Sequence, residues 1–298
     1  MDYLLTMPIP HIRSLLAKLP FGADRLVSPA VAVLRLSGVI APSASSPLRG
    51  GTLSLAGMAP SIERAFALPN LKAVALAVNS PGGSPVQSAL LAGRIRALAR
   101  EKAVPVIAFA EDVAASGGYW LALAADEIFA DPNSLLGSVG VISAGFGFTE
   151  LLSRYGVERR LHTQGTRKSL LDPFRPERPE DVARLERLQR EIHESFIAEV
   201  RERRGTRLVQ PEENGVFEGE IFTGRRALEL GLIDGLGDLR TVLRQRFGEK
   251  LRLVPVAPAA GWLRRRLRLA GADRGLGDIA ATLAEGLEAR ALWARYGL

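Results

Sequence analysis

The chain has 298 residues, no cysteine, and 39 Lys and Arg against 32 Asp and Glu, for a formal net charge of +7. That length can bury a substantial core, and the missing thiols exclude disulfides, a cysteine nucleophile and thiolate metal sites. The three histidines, His11, His162 and His193, form no His-x-x-x-His or His-Glu-x-x-His pattern, which excludes a metalloprotease helix.

Residues 1–29 read as a leader arm, with a short amphipathic piece from Ile12 to Leu19 ended by Pro20 and Gly22. It lacks the basic stretch and apolar run of a secretory signal. Val31 to Ile40 reads as the first strand, followed by a small-residue loop from Pro42 to Gly51 and a helix from Pro60 to Leu68. Lys72 to Val78 is a second buried strand, broken by Asn79-Ser80-Pro81-Gly82-Gly83; a helix over residues 85–100 follows. A third strand around Val104 to Ala110 leads to Ser116 and a helix-like run from Leu121 to Ala125. Short strands are expected at Asp126 to Ala130 and at Leu136 to Ser143. Apolar strands alternating with helices predict an α/β core with parallel pairing.

From Pro179 to Arg204 the apolar positions Val182, Leu185, Leu188, Ile192, Phe196 and Val200 recur at steps of three and four among charges, which predicts a long amphipathic helix. Within it His193 reads as a solvated surface residue. Phe222 to Asp234 reads as turn, short helix, glycine cap and strand. The expected division is a leader over 1–29, one core domain over 30–247 and an Arg/Ala-rich helical extension over 248–298. Gly, Pro, Asn and Ser interrupt the uncharged stretches from Ala73 to Gly93 and Pro132 to Thr149, so neither predicts a membrane span. A cytoplasmic protein is expected. The basic runs at Arg201 to Arg204 and Arg264 to Arg268 lack interleaved aromatics or a nucleic-acid motif, so no nucleic-acid partner is expected. Trp262 to Leu269 leaves room for a peripheral membrane contact.

Two glycine turns each follow a buried strand: Asn79-Ser80-Pro81-Gly82-Gly83 and Ala115-Ser116-Gly117-Gly118. Glycine lets backbone N–H groups approach a ligand closely. If the strands are neighbours, the Gly83 and Gly117 amides can converge on one oxygen as an oxyanion hole. Ser116 is then either a nucleophile or an ordinary helix N-cap. No histidine lies in an apolar or glycine-rich setting, so a base would have to come from elsewhere. Lysine can serve when desolvated or crowded by cations. Of Lys18, Lys72, Lys102, Lys168 and Lys250, Lys168 stands out in the turn-like Gln164-Gly165-Thr166-Arg167-Lys168-Ser169, where a surface lysine is the competing reading.

The ordered set Asn79-Ser80-Pro81-Gly82-Gly83, Ala115-Ser116-Gly117-Gly118-Tyr119-Trp120 and Gly137-Ser138-Val139-Gly140-Val141-Ile142 resembles the signal peptide peptidase A family, over roughly residues 30–245. Gly224-Arg225-Arg226-Ala227 and Gly231-Leu232-Ile233-Asp234 fall near its end. The resemblance implies a Clp-protease/crotonase-like spiral of strand and helix units and a serine peptidase with a Ser/Lys dyad. It implies Ser116 as nucleophile, Lys168 as general base, Gly83 and Gly117 as oxyanion-hole amides, and Ser138 as a hydroxyl supporting the base. It also implies peptide substrates and a ring-shaped homo-oligomer in which the lysine reaches the serine of an adjacent subunit. No cofactor or metal is implied. The family's acidic residue after the lysine is Ser169 here, with Asp172 the candidate substitute. Tyr119, Trp120 and Leu135 are the expected pocket walls. The alternatives are a crotonase-type acyl-CoA enzyme, which would need an acidic base, and an inactive scaffold of the same fold.

Overall fold

The computed structural model describes residues 28–42, 52–165 and 167–256. Residues 1–27 of the expected leader, His11 among them, and the segment Trp262 to Leu269 lie outside them.

An eight-stranded sheet organises the chain in the order β6-β5-β3-β2-β1-β8, with β4 pairing β3 and β7 off this path. The strands are β1 (Ala30–Ser37), β2 (Leu71–Ser80), β3 (Val106–Ala115), β4 (Glu127–Ala130), β5 (Leu135–Gly137), β6 (Ile221–Thr223), β7 (Gly235–Leu236) and β8 (Arg252–Pro255). Every ladder is parallel except β5–β6. The helices are α1 (Leu55–Phe66), α2 (Pro85–Lys102), α3 (Gly117–Ala122), α4 (Thr149–Arg154), α5 (Pro179–Arg204), α6 (Gly224–Glu229) and α7 (Leu239–Phe247). The expected α/β spiral built on one core is the architecture found.

The period-two alternation of strand side chains sorts the core into two layers. Leu34, Leu36, Val74, Leu76, Val78, Val106 and Ala108 pack on the side covered by α1, α2, α3 and α5. Val31, Ala73, Ala75, Ile107 and Phe109 face the other side, against Leu243 of α7 and Leu251. Burial on both faces explains why β2 reads as a nearly continuous apolar run rather than an alternating one. Because β8 pairs with β1, the sheet extends beyond residue 247.

Several boundaries differ from expectation for local reasons. Helix α1 begins five residues before Pro60, because the Ser54 side chain accepts the Gly57 N–H and caps an earlier start. Pro60 then sits inside the helix. Strand β3 continues to Ala115, since Val113 to Ala115 pair with β5 after Ile107 to Ala110 have paired with β4. The strand expected from Leu136 to Ser143 shrinks to Leu135–Gly137: Ser138 has φ 52°, and the chain leaves the sheet there. Asp234, expected in a strand, lies instead in the turn before β7, where its carboxylate accepts the Ile128 N–H.

Helix α5 spans the predicted residues, closes a local ion-pair cluster at its N-terminus and is fastened to the rest of the fold at its C-terminus. Near its N-terminus the buried Asp181 accepts from Arg178 and Arg184. At its C-terminus the buried Arg204 donates to Gly231 O and to both oxygens of Asp234. Burial acts to raise the Asp234 pKa, but the hydrogen bonds from Arg204 and the Ile128 N–H outweigh it and hold the carboxyl below its ordinary value. A depressed folded-state pKa stabilises the fold above the unfolded-state value, and that contribution is lost as pH falls through the folded value. Acid titration followed by circular dichroism should therefore show stability falling below about pH 4, and less steeply in Asp234→Asn than in the native chain.

Candidate active site

Strand β3 changes partner from β4 to β5 along its length, and Ser116 stands directly beyond its carboxyl end. The Pro81-Gly82-Gly83 turn leaves the carboxyl end of the adjacent β2. Carboxyl ends of parallel strands at such a change of partner are where open α/β sheets form ligand crevices.

Ser116 adopts φ 51°, ψ −123°, a conformation that suits glycine, and its N–H donates to Gly137 O at 2.8 Å. Although it occupies the N-cap position of α3, its side chain makes no capping hydrogen bond. The ordinary N-cap reading therefore fails, and the hydroxyl is left half-exposed. A strained backbone that lifts an unengaged hydroxyl out of a strand-to-helix turn is the geometry expected of a nucleophile.

The two glycine turns lie against each other. A methyl group at Gly82 would sit 2.7 Å from Gly117 N and 2.8 Å from Ser116 Cβ, and one at Gly117 would sit 3.3 Å from Gly83 N. Gly83 is pinned from behind, where a methyl group would fall 2.0 Å from Ile40 O; the flanking Ile40 N–H to Gly82 O and Ser84 N–H to Ile40 O bonds hold the turn. Among the described residues, neither the Gly83 nor the Gly117 N–H donates to a protein acceptor. Two adjacent, unengaged amides beside a free hydroxyl can stabilise an oxyanion. Gly82→Ala should thus lower the kcat of a reaction that passes through an oxyanion at this site by about a hundredfold or more, the usual order for a disturbed oxyanion hole. Native-like activity in that variant, measured on a fluorogenic peptide, would separate this turn from the chemistry.

The pocket at Ser116 is lined by Gly83, Pro85, Gly117, Trp120, Gly140, Val141, Ile192 and Phe196. It is apolar, with Trp120 stacked on Phe196 at 4.6 Å between ring centroids. Of the three expected walls only Trp120 is correct. Tyr119 is fully buried and donates its hydroxyl to Leu232 O at 2.7 Å, with its pKa driven up by that burial. Leu135 belongs to β5 and does not line the pocket. Sequence reading missed Ile192 and Phe196, whose helical periodicity marked them only as core. His193 between them is not a solvated surface residue: its Nε2 lies 3.0 Å from Val139 O.

Ser138 follows Gly137, whose carbonyl receives the Ser116 N–H, so it is adjacent to the site in the chain and in space. Lys168 is exposed, its N–H donates to Gly165 O, and it is not among the pocket residues. A single chain therefore brings together Ser116, Gly83 and Gly117 with Ser138 nearby, and leaves Lys168 outside. Asp172 accepts from Arg159 and from the Phe174 N–H, so it organises its own loop.

A family model described as peptidase family S49 matches residues 98–250. A protein of Brucella abortus (strain 2308) named Na(+)/H(+) antiporter NhaA is 51% identical over 281 residues, covering 92% of this chain and 38% of that protein. The chloroplastic serine protease SPPA of Arabidopsis thaliana is 36% identical over 169 residues, or 56% of this chain and 24% of that protein. This chain thus spans well under half the length of these relatives. In fold it is similar to the 1510-N membrane-bound stomatin-specific protease, with a TM-score of 0.47 and 16% identity, covering 78% of this chain and 99% of that one. No helix among the described residues is long and apolar enough to cross a membrane. The family match covers half of the sequence and runs through Ser116, its glycine turn and the pocket wall from Gly117 to Phe196, and the chain belongs to peptidase family S49.

Proposed function

We propose that this chain is a serine endopeptidase acting on short or unfolded peptides, signal-peptide remnants among them, through a Ser116/Lys168 dyad completed between subunits. The observation that carries this reading is the unengaged Ser116 hydroxyl, held at φ 51° beside the free Gly83 and Gly117 amides. Ser116 Oγ attacks the peptide carbonyl carbon while its proton passes to the neutral Lys168 amine, and the two amides hold the resulting oxyanion. The ammonium returns the proton to the departing amine, leaving an acyl-serine that water cleaves by the same route. Ser138 would orient the lysine.

Exposure of Lys168, away from the Ser116 pocket of its own chain, supports a base supplied by a neighbouring copy in a ring. The apolar lining favours small or hydrophobic side chains next to the scissile bond. Among the described residues no carboxylate lines the pocket, which weighs against the acyl-CoA alternative with its acidic base.

Mixing Ser116→Ala and Lys168→Ala chains tests the arrangement. Each alone should be inactive, and the mixture should regain part of the native turnover, because some neighbours then pair an intact serine with an intact lysine. A mixture as inactive as its components would place both groups in one chain.

A further inference from the structure

Beyond Gly137 the chain leaves the sheet, and residues 139–147 enter no strand or helix. Gly140 and Val141 nevertheless form one wall of the Ser116 pocket. The backbone bonds of this stretch are sparse: the Gly140 N–H donates to Ser138 O, and the next tie is the Phe148 N–H to Pro173 O. Among the described residues, one hydrogen bond joins residues 139–147 to another part of the molecule, between His193 Nε2 and Val139 O at 3.0 Å.

A carbonyl can only accept, so the ring must present Nε2–H, which both the neutral Nε2–H tautomer and the imidazolium provide. His193 lies on α5 between Ile192 and Phe196, the two residues that form the opposite wall. Phe196 is fixed by its buried stack on Trp120, and the C-terminal end of α5 is fastened by Arg204 to Gly231 and Asp234. The helix is thus a fixed reference, whereas Gly140 and Val141, beyond the core-buried Val139 side chain, make no hydrogen bond of their own to another part of the molecule among the described residues. We propose that His193 is a positioning residue for substrate: its bond to Val139 O sets the Gly140–Val141 wall at a fixed distance from Ile192 and Phe196. It shapes the pocket that receives the peptide side chain next to Ser116. This rests on the peptidase reading of Ser116. It assigns to α5 a role in binding that the dyad alone does not supply.

The test compares His193→Phe, which keeps an aromatic ring but removes the donor, with His193→Gln, which keeps an N–H donor without the ring. Both are made in the full chain and assayed on an internally quenched peptide with alanine on the acyl side of the scissile bond. Loss of one positioning hydrogen bond should raise KM about tenfold in His193→Phe, with kcat changed less than about twofold. His193→Gln should return KM most of the way to native, and thermal unfolding should show all three proteins folded. Native KM in His193→Phe, equal impairment in both variants, or a loss confined to kcat would each overturn the proposal. If His193→Phe does not fold, His193→Ala serves in its place against the same His193→Gln rescue. Failure of the underlying peptidase reading looks different: the native chain would show no turnover, or its turnover would survive Ser116→Ala.

Discussion

Ser116→Ala should reduce kcat for peptide hydrolysis by about 10⁴-fold or more, the order seen when a nucleophile that acts as a unit with its base is deleted. The geometry makes this a clean substitution. Ser116 Oγ makes no capping bond, so no structural hydrogen bond is lost with it, and alanine bears the same φ 51° as serine. Fold and assembly should therefore be unchanged while chemistry is lost. Ser116→Gly adds an independent reading of the same site. Relief of a strained conformation is worth about 1 kcal/mol or more, so the glycine variant should be inactive yet unfold at higher denaturant than the native chain. Turnover in Ser116→Ala within tenfold of native would remove Ser116 from the mechanism. A glycine variant less stable than native would show that its backbone is not strained.

The second large effect lies away from the chemistry. Arg204→Ala should destabilise the fold by about 3 kcal/mol, the lower part of the range for breaking one side of a buried ion pair. The lower part applies because Arg207 also reaches Asp234, at 3.1 Å, and keeps part of its charge compensated. Arg204 also satisfies Gly231 O, and the neighbouring Leu232 O accepts the Tyr119 hydroxyl, so one turn ties α5 to the helix that follows the nucleophile. Loss of this clamp should loosen α5 and with it Ile192 and Phe196 in the pocket wall. Chemical denaturation gives the stability change directly. Replacing the pair together, Arg204→Met with Asp234→Leu, should recover much of the loss, because the cost of the single variant is an uncompensated buried charge rather than a missing attraction. A double variant as unstable as Arg204→Ala alone would show that the Gly231 contact carries the effect.

Legibility in the sequence followed the range of the interactions. The helices at 85–100 and 179–204 and the strands of the parallel core could be read from local periodicity and caps, since each depends on residues within a few turns of itself. Helix α1 and the end of β5 could not. The start of α1 is set by the Ser54 cap ahead of an internal proline, and the end of β5 by a positive φ at Ser138. His193 was misread for a related reason: its charged neighbours describe the helix surface, while its partner Val139 is 54 residues away.

By itself the sequence determined the two glycine turns, the serine between a strand and a helix, and the absence of any thiol or metal-binding pattern. These are properties of residue type and spacing, which a linear chain carries openly. Only the tertiary structure decided that β2 and β3 are neighbours and that their turns therefore meet. It also decided that the Ser116 hydroxyl caps nothing, and that α5 rather than Tyr119 or Leu135 walls the pocket. Those outcomes depend on which strand pairs with which and which helix face finds the sheet. They are fixed by burial of the whole core and not by any local segment.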